Sequence, residues 1–130
     1  MTCLETTFLI DILLGKTEIS ELKDELSKTE PILTIAAPSV MEIWMGASIS
    51  KQPDSKKDKI NELISSFTIL PLDEKSAKEA GEIESDLIKK REIIETEDMM
   101  IAAIAKVNGE KLVTRDEHYA RISGLRMLKY

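Results

Sequence analysis

The stretch IETEDMMIAAIAKVNGEKLVTRDEHY, residues 94–119, decides how this chain folds. Behind Asp98, residues Ile101, Ala102 and Ala105 follow at the i+3, i+4 and i+7 spacing, which predicts one buried helical face. Asn108-Gly109 ends that helix, because these residue types tolerate the left-handed conformation a helix needs to stop. Lys111 to Thr114 is a short, β-rich run, and Arg115-Asp116 stands where that strand would finish. Open α/β sheets carry their functional groups at the carboxyl ends of strands. The first residues repeat the arrangement: Thr2 to Leu4 reads as a strand running into Glu5-Thr6-Thr7 and then a helix through Phe8, Leu9, Ile12 and Leu13 to Gly15. Two strand-end acids, Glu5 and Asp116, and one helix-start acid, Asp98, predict a converging acidic pocket.

The rest of the chain continues the alternation. Thr17 is the expected cap of a second helix with an Ile19, Leu22, Leu26 stripe. Ile32 to Ala36 reads as strand 2, and Pro38 opens a helix whose apolar face is Val40, Ile43, Trp44 and Ala47, with Glu42 on the flank beside Ser39 and Gly46. Ser50 to Lys59, SKQPDSKKDK, reads as a surface loop or mobile arm leading to a helix with Ile60, Leu63 and Ile64 inward. Phe67 to Leu70 is the expected strand 3, stopped by Pro71. Asp73 should cap a long helix with Ala77, Ala80, Glu84 and Leu87 inward and Gly81 at a close approach. Leu125 to Leu128 makes a final strand. Short strands separated by helices predict an α/β chain, a three-layer α/β/α arrangement around a parallel sheet of about five strands. With no internal repeat or linker, residues 1–130 are expected to form one domain.

Bulk composition narrows the functional classes. A 42% hydrophobic and 32% charged content is that of an ordinary globular protein. The single cysteine, Cys3, is expected as buried packing and excludes a disulfide framework. The amino-terminal run FLIDILL is interrupted by Asp11 and has no basic flank, so neither a signal peptide nor a membrane span is expected, and cytoplasmic residence is the default. A net charge of −6 argues against broad binding of nucleic acid through a basic face. It leaves room for a nucleic-acid enzyme, because a site that holds divalent cations must itself be acidic.

Taken singly, each acid also has a structural explanation. Asp98 suits the positive end of its helix, Asp116 suits a turn or N-cap, and Glu42 suits a solvated flank. Glu5 is the hardest to explain so, since a carboxylate at the end of a central strand needs a partner. Jointly, four oxygen donors from four separate segments suit hard Mg²⁺ or Mn²⁺ better than zinc. No glycine-rich phosphate loop is present, and the one histidine, His118, has no serine on a nucleophile elbow, so it reads as a site-edge residue.

At this point the motifs resemble a known family. Leu4-Glu-Thr-Thr-Phe-Leu-Ile-Asp11, the Glu42 helix with Gly46, Asp98-Met-Met-Ile-Ala-Ala103 and Leu112-Val-Thr-Arg-Asp116-Glu-His118 together resemble the PIN-domain ribonucleases, and most of all the VapC toxins of toxin–antitoxin pairs. The resemblance spans essentially the whole chain in the family's order. It implies an acidic quartet of Glu5, Glu42, Asp98 and Asp116 that binds Mg²⁺ or Mn²⁺. Thr7 and Thr114 would support that quartet. The first acid is usually aspartate; Glu5 carries its oxygens one methylene further, roughly an ångström or more. Asp11 reads as structural. The implied chemistry is metal-assisted hydrolysis of an RNA phosphodiester with no covalent protein intermediate, leaving a 5′ phosphate and a 3′ hydroxyl. Lys56, Lys57 and Arg115 are the candidate contacts to the RNA backbone.

The resemblance also implies a homodimer held inactive by a small VapB-like antitoxin whose carboxyl-terminal segment blocks the groove. Met41, Trp44, Met45 and the Ile12-Leu13-Leu14 run offer apolar surface for such contacts, or equally for plain core packing. Two rival readings remain: a catalytically weak PIN-like binding module, and a phosphoacceptor signalling domain. The second would want an acidic pair after strand 1 where this chain has Glu5-Thr-Thr.

Overall fold

Five short strands form one parallel sheet in the computed structural model, which describes residues 1–30 and 32–130. They are β1 (Thr2–Leu4), β2 (Leu33–Ala36), β3 (Thr68–Leu70), β4 (Lys111–Thr114) and β5 (Met127–Lys129), arranged β3-β2-β1-β4-β5. Parallel neighbours need long crossovers. Helices α1 (Thr6–Leu13) and α2 (Thr17–Thr29) join β1 to β2, and α3 (Ala37–Ser48) and α4 (Pro53–Ile64) join β2 to β3. Helices α5 (Glu74–Lys90) and α6 (Thr96–Val107) precede β4, and a 3₁₀ turn, Glu117–Arg121, leads to β5.

Period-two alternation along the strands produces the layers. Leu4, Leu33, Ile35 and Val113 pack against α1 to α4, while Cys3, Ala36 and Leu112 pack against α5 and α6. The arrangement is the three-layer α/β/α class expected from the sequence. β1 is covered on both faces and paired on both edges, with Cys3 opposite Thr34 on one side and Leu112 on the other. Cys3 is fully buried, and that burial pushes its thiol up to about 12, leaving it inert packing. Strand order also bears on the signalling alternative. Phosphoacceptor domains of the flavodoxin-like type order their strands 2-1-3-4-5, and this sheet does not.

Several local expectations are corrected. Lys16, not Thr17, is the N-cap of α2, and no side chain bonds there. β2 starts at Leu33, with Ile32 outside it and exposed, and β3 starts at Thr68, with Phe67 packed beside it. The polar run at 50–59 is mostly helix: Pro53 sits in the first turn of α4, where its fixed φ and missing N–H favour initiation. The inward stripe of α5 is Ser76, Ile83 and Leu87, so Ala77 and Glu84 face outward. Gly81 meets nothing within 4 Å of an added Cβ and mediates no close approach. β5 is Met127–Lys129, starting two residues later and ending one residue later than expected. Asp73 does cap α5, through a capping box with Ser76. Gly109 leaves α6 at a φ of +67°.

Asp11 anchors the edge of this frame. Its side chain is 1% exposed, yet it accepts from Arg115 Nε at 3.0 Å, Lys16 Nζ at 2.9 Å and the Tyr130 hydroxyl at 2.9 Å. Burial alone would raise its pKa, but these donors outweigh it and hold the carboxyl down to about 2. The bonds tie α1 to the ends of β4 and β5, and the Tyr130 ring packs edge-on to Phe8 at 5.2 Å.

Because the folded pKa of Asp11 lies below the ordinary aspartate value, its stabilisation is complete above about pH 4 and fades as the pH falls towards 2. Asp11→Asn should therefore lower stability by on the order of 2 kcal/mol at pH 7. Urea unfolding of both proteins should show that gap closing near pH 2.

Candidate active site

Glu5 leaves β1 as the N-cap of α1, and its side chain turns back over the helix start. The backbone N–H and the hydroxyl of Thr7 both donate to Glu5 Oε2, each at 2.6 Å. The other oxygen, Oε1, lies 3.2 Å from the hydroxyl of Tyr119. That same hydroxyl is 3.1 Å from Asp98 Oδ1 in the first turn of α6. Tyr119, with no exposed surface, thus bridges an acid after β1 and an acid on α6.

Glu42 reaches the pocket from α3. The Thr6 hydroxyl lies 3.0 Å from Glu42 Oε1 and 2.9 Å from Ser39 Oγ, so a single proton per hydroxyl makes a relay in which Ser39 donates to Thr6 and Thr6 to Glu42. Asp116 follows β4, where its backbone N–H donates to Thr114 Oγ1 at 3.0 Å. Its carboxylate caps the 3₁₀ turn by accepting from the His118 N–H at 2.9 Å and also lies 2.9 Å from His118 Nδ1.

The electrostatics bind the four acids into one group. Burial raises the pKa of Glu5 above the usual carboxylate range, and the charge of Asp98 pushes it further, against the lowering bonds from Thr7 and Tyr119. Burial likewise raises Glu42, with added repulsion from Asp98, Glu5 and Glu97. Asp98 is raised by burial and by the charge of Asp116. Tyr119, desolvated and facing two carboxylates, is pushed far above the ordinary phenol value and serves as a neutral donor.

Oxygen donors of this kind fit Mg²⁺ or Mn²⁺. As the side chains stand, no three His, Cys, Asp or Glu residues among those described approach closely enough to hold a metal ion. The hydroxyls of Tyr119 and Thr6 stand among them as neutral bridges.

The pocket therefore contains what the sequence singled out and more. Glu5, Thr7, Asp98, Asp116 and Thr114 lie along the carboxyl edge of the sheet, and Glu42 joins them from α3. Arg115 faces away, paired to Asp11. Lys57 lies over the Trp44 ring at 5.4 Å, and Lys56 is exposed at the rim of a cleft. Sequence reasoning missed Tyr119, Thr6 and Ser39. Spacing could have flagged Tyr119, which stands three residues beyond Asp116; nothing in the sequence pairs Thr6 with Ser39.

The cleft runs beside the pocket between α1, α3 and α4. Ile10, Leu13, Leu14, Ile43, Ala47 and Ile60 line it, with Glu42, Lys56 and Lys59 at its polar positions. Leu14 is exposed at the cleft and Met41 and Met45 are exposed elsewhere on α3, whereas Ile12, Leu13 and Trp44 pack partly into the core. Among the described residues, no helix is long and apolar enough to cross a membrane.

Comparison with known proteins identifies relatives of this chain. A tRNA(fMet)-specific endonuclease VapC of Shigella flexneri is 25% identical over 112 residues, covering 85% of each chain. Ribonuclease VapC2 of Haemophilus influenzae is 28% identical over 107 residues, covering 82% of this chain and 81% of that protein. Among solved structures, DNA-bound VapBC from Salmonella typhimurium superposes with a TM-score of 0.91 at 26% identity, over 99% of this chain and 98% of that one. The PIN domain model matches residues 2–125, and the chain belongs to the PIN domain family.

Proposed function

We propose that this protein is a divalent-metal-dependent endoribonuclease, a VapC-like toxin held in check by a VapB-like antitoxin. The observation that carries the reading is the convergence of Glu5, Glu42, Asp98 and Asp116 at one sheet edge, three of them with raised pKa values and acting on one another. Gathering like charges in a half-buried pocket opposes folding unless a cation joins them. Membership of the PIN family and likeness to proteins named VapC supply the class of substrate, RNA.

In this reading the four acids hold Mg²⁺ or Mn²⁺. Thr7 fixes the long Glu5 side chain, and Thr114 fixes the turn that presents Asp116. The bound metal supplies acidity to a water molecule and offsets charge on the phosphate and the leaving oxygen. The chain's own residues hold and orient, and no side chain forms a covalent intermediate. The products carry a 5′ phosphate and a 3′ hydroxyl. Of the basic candidates for the RNA backbone, Arg115 is committed to Asp11, which leaves Lys56 at the cleft rim and Lys57 beside it.

The partner occupies the cleft between α1, α3 and α4. Its apolar wall receives a hydrophobic segment, and because Glu42 lies in the same cleft, an occupant reaches the acidic pocket and blocks it. The protein acts in the cytoplasm as a homodimer in this reading.

Asp98→Asn and Asp116→Asn should each reduce cleavage of a mixed RNA pool to background with an unchanged circular dichroism spectrum. EDTA should do the same to the unaltered protein, and either variant retaining full activity would remove the quartet assignment. The raised acids give a second check. Without metal, stability should fall as pH rises from about 4 through their elevated pKa values, because the unfolded chain ionises first. The rise in thermal midpoint caused by Mn²⁺ should accordingly be larger at pH 7 than at pH 5. For the partner, Leu14→Glu should preserve RNA cleavage but lose inhibition by the cognate VapB-like antitoxin, and retained inhibition would place the partner elsewhere.

A further inference from the structure

Tyr119 is used by neither the packing nor the reading above in a way that accounts for its hydroxyl. The ring is fully buried in the core formed with α5 and α6, a place that phenylalanine would fill equally well. A buried hydroxyl is costly unless it is bonded. This one lies 3.2 Å from Glu5 Oε1 and 3.1 Å from Asp98 Oδ1, and its single proton is shared between these two acids of the pocket.

The partners of those two acids sharpen the point. Glu5 Oε2 is taken by both donors of Thr7, and Oε1 has Tyr119. Among the described residues, the Asp98 carboxylate has no hydrogen-bond partner other than Tyr119. Glutamate has one more rotatable bond than aspartate, so a carboxylate at position 5 can wander unless both oxygens are held. The anchor of the tyrosine is itself part of the pocket: Asp116 caps the 3₁₀ turn on which Tyr119 sits three residues later. One turn thus connects the acid after β4 to the acids after β1 and on α6.

We infer that Tyr119 is a positioning residue for metal binding, its hydroxyl fixing the carboxylates of Glu5 and Asp98 at the spacing a divalent cation requires. The inference rests on the metal-dependent reading proposed above. It assigns Tyr119 no contact with RNA and no proton transfer in the reaction.

The test is Mn²⁺ affinity, measured by electron paramagnetic resonance on the full chain without RNA, for the unaltered protein, Tyr119→Phe, Glu5→Asp and the double variant. Tyr119→Phe should bind Mn²⁺ roughly 10-fold or more weakly, the range seen when a group orienting a metal ligand is removed. Its kcat should fall while KM for RNA stays unchanged, and its metal-free thermal midpoint should drop by only a few degrees, the cost of one lost hydrogen bond, since phenylalanine keeps the packing. In the Glu5→Asp background, where the carboxylate is drawn back from Tyr119, the same substitution should cost less. Unchanged Mn²⁺ affinity in Tyr119→Phe, a collapsed midpoint, or strictly additive effects would each overturn the positioning role alone. An unaltered protein that binds no Mn²⁺ would overturn the metal-dependent reading on which it rests.

Discussion

Repulsion among carboxylates is the constraint around which the rest of this molecule is arranged. Glu5, Glu42 and Asp98 all carry pKa values raised by burial and by the charge of neighbouring acids. The fold tolerates them by placing neutral hydroxyls between them: Thr7 on one oxygen of Glu5, Tyr119 between Glu5 and Asp98, and Thr6 beside Glu42. A lysine or arginine in those places would neutralise the pocket permanently. Hydroxyls satisfy lone pairs while leaving the net negative charge available to a cation.

That local tension requires a rigid surround. Asp11 shows the opposite treatment of the same chemical group a short distance along α1. It too is buried, but Arg115, Lys16 and Tyr130 satisfy it, and its pKa is low where those of the pocket acids are high. One carboxylate is spent on holding α1 to the sheet; the others are kept unneutralised. Glu110 stands between these cases. It is buried at the start of β4, with one oxygen near the Thr34 hydroxyl and the other without a partner among the described residues, and burial raises its pKa.

The parallel sheet and the acids were legible in the sequence because both follow local rules. A strand pattern ending in an acid, or an i, i+3, i+4 face behind Asp98, needs only neighbouring residues to be read. Boundaries were less legible where composition misleads: SKQPDSKKDK is polar enough for a loop, yet Pro53 begins a helix whose apolar stripe appears only from Ile60 onward. Glu84 and Ala77 share a spacing with Leu87, but Ser76 and Ile83 take the inward face, and only packing against α6 selects between those stripes. The hydroxyl bridges were illegible because they join residues such as Thr6 and Ser39, or Glu5 and Tyr119, whose relation exists only once the sheet has formed.

The central place of β1 has a consequence for how the pocket comes into being. Its register with β4 pairs Cys3 with Leu112, and the Tyr119 bridge to Glu5 spans 114 positions. Helices can gather from near neighbours, but parallel pairing at such separations must first close a long loop, which slows folding. Glu5 and Glu42 are consequently far from Asp98 and Asp116 in any chain whose β1 and β4 have not yet met. Their repulsion is therefore confronted at the step that closes the sheet. Completion of the pocket thus coincides with the pairing of β1 and β4.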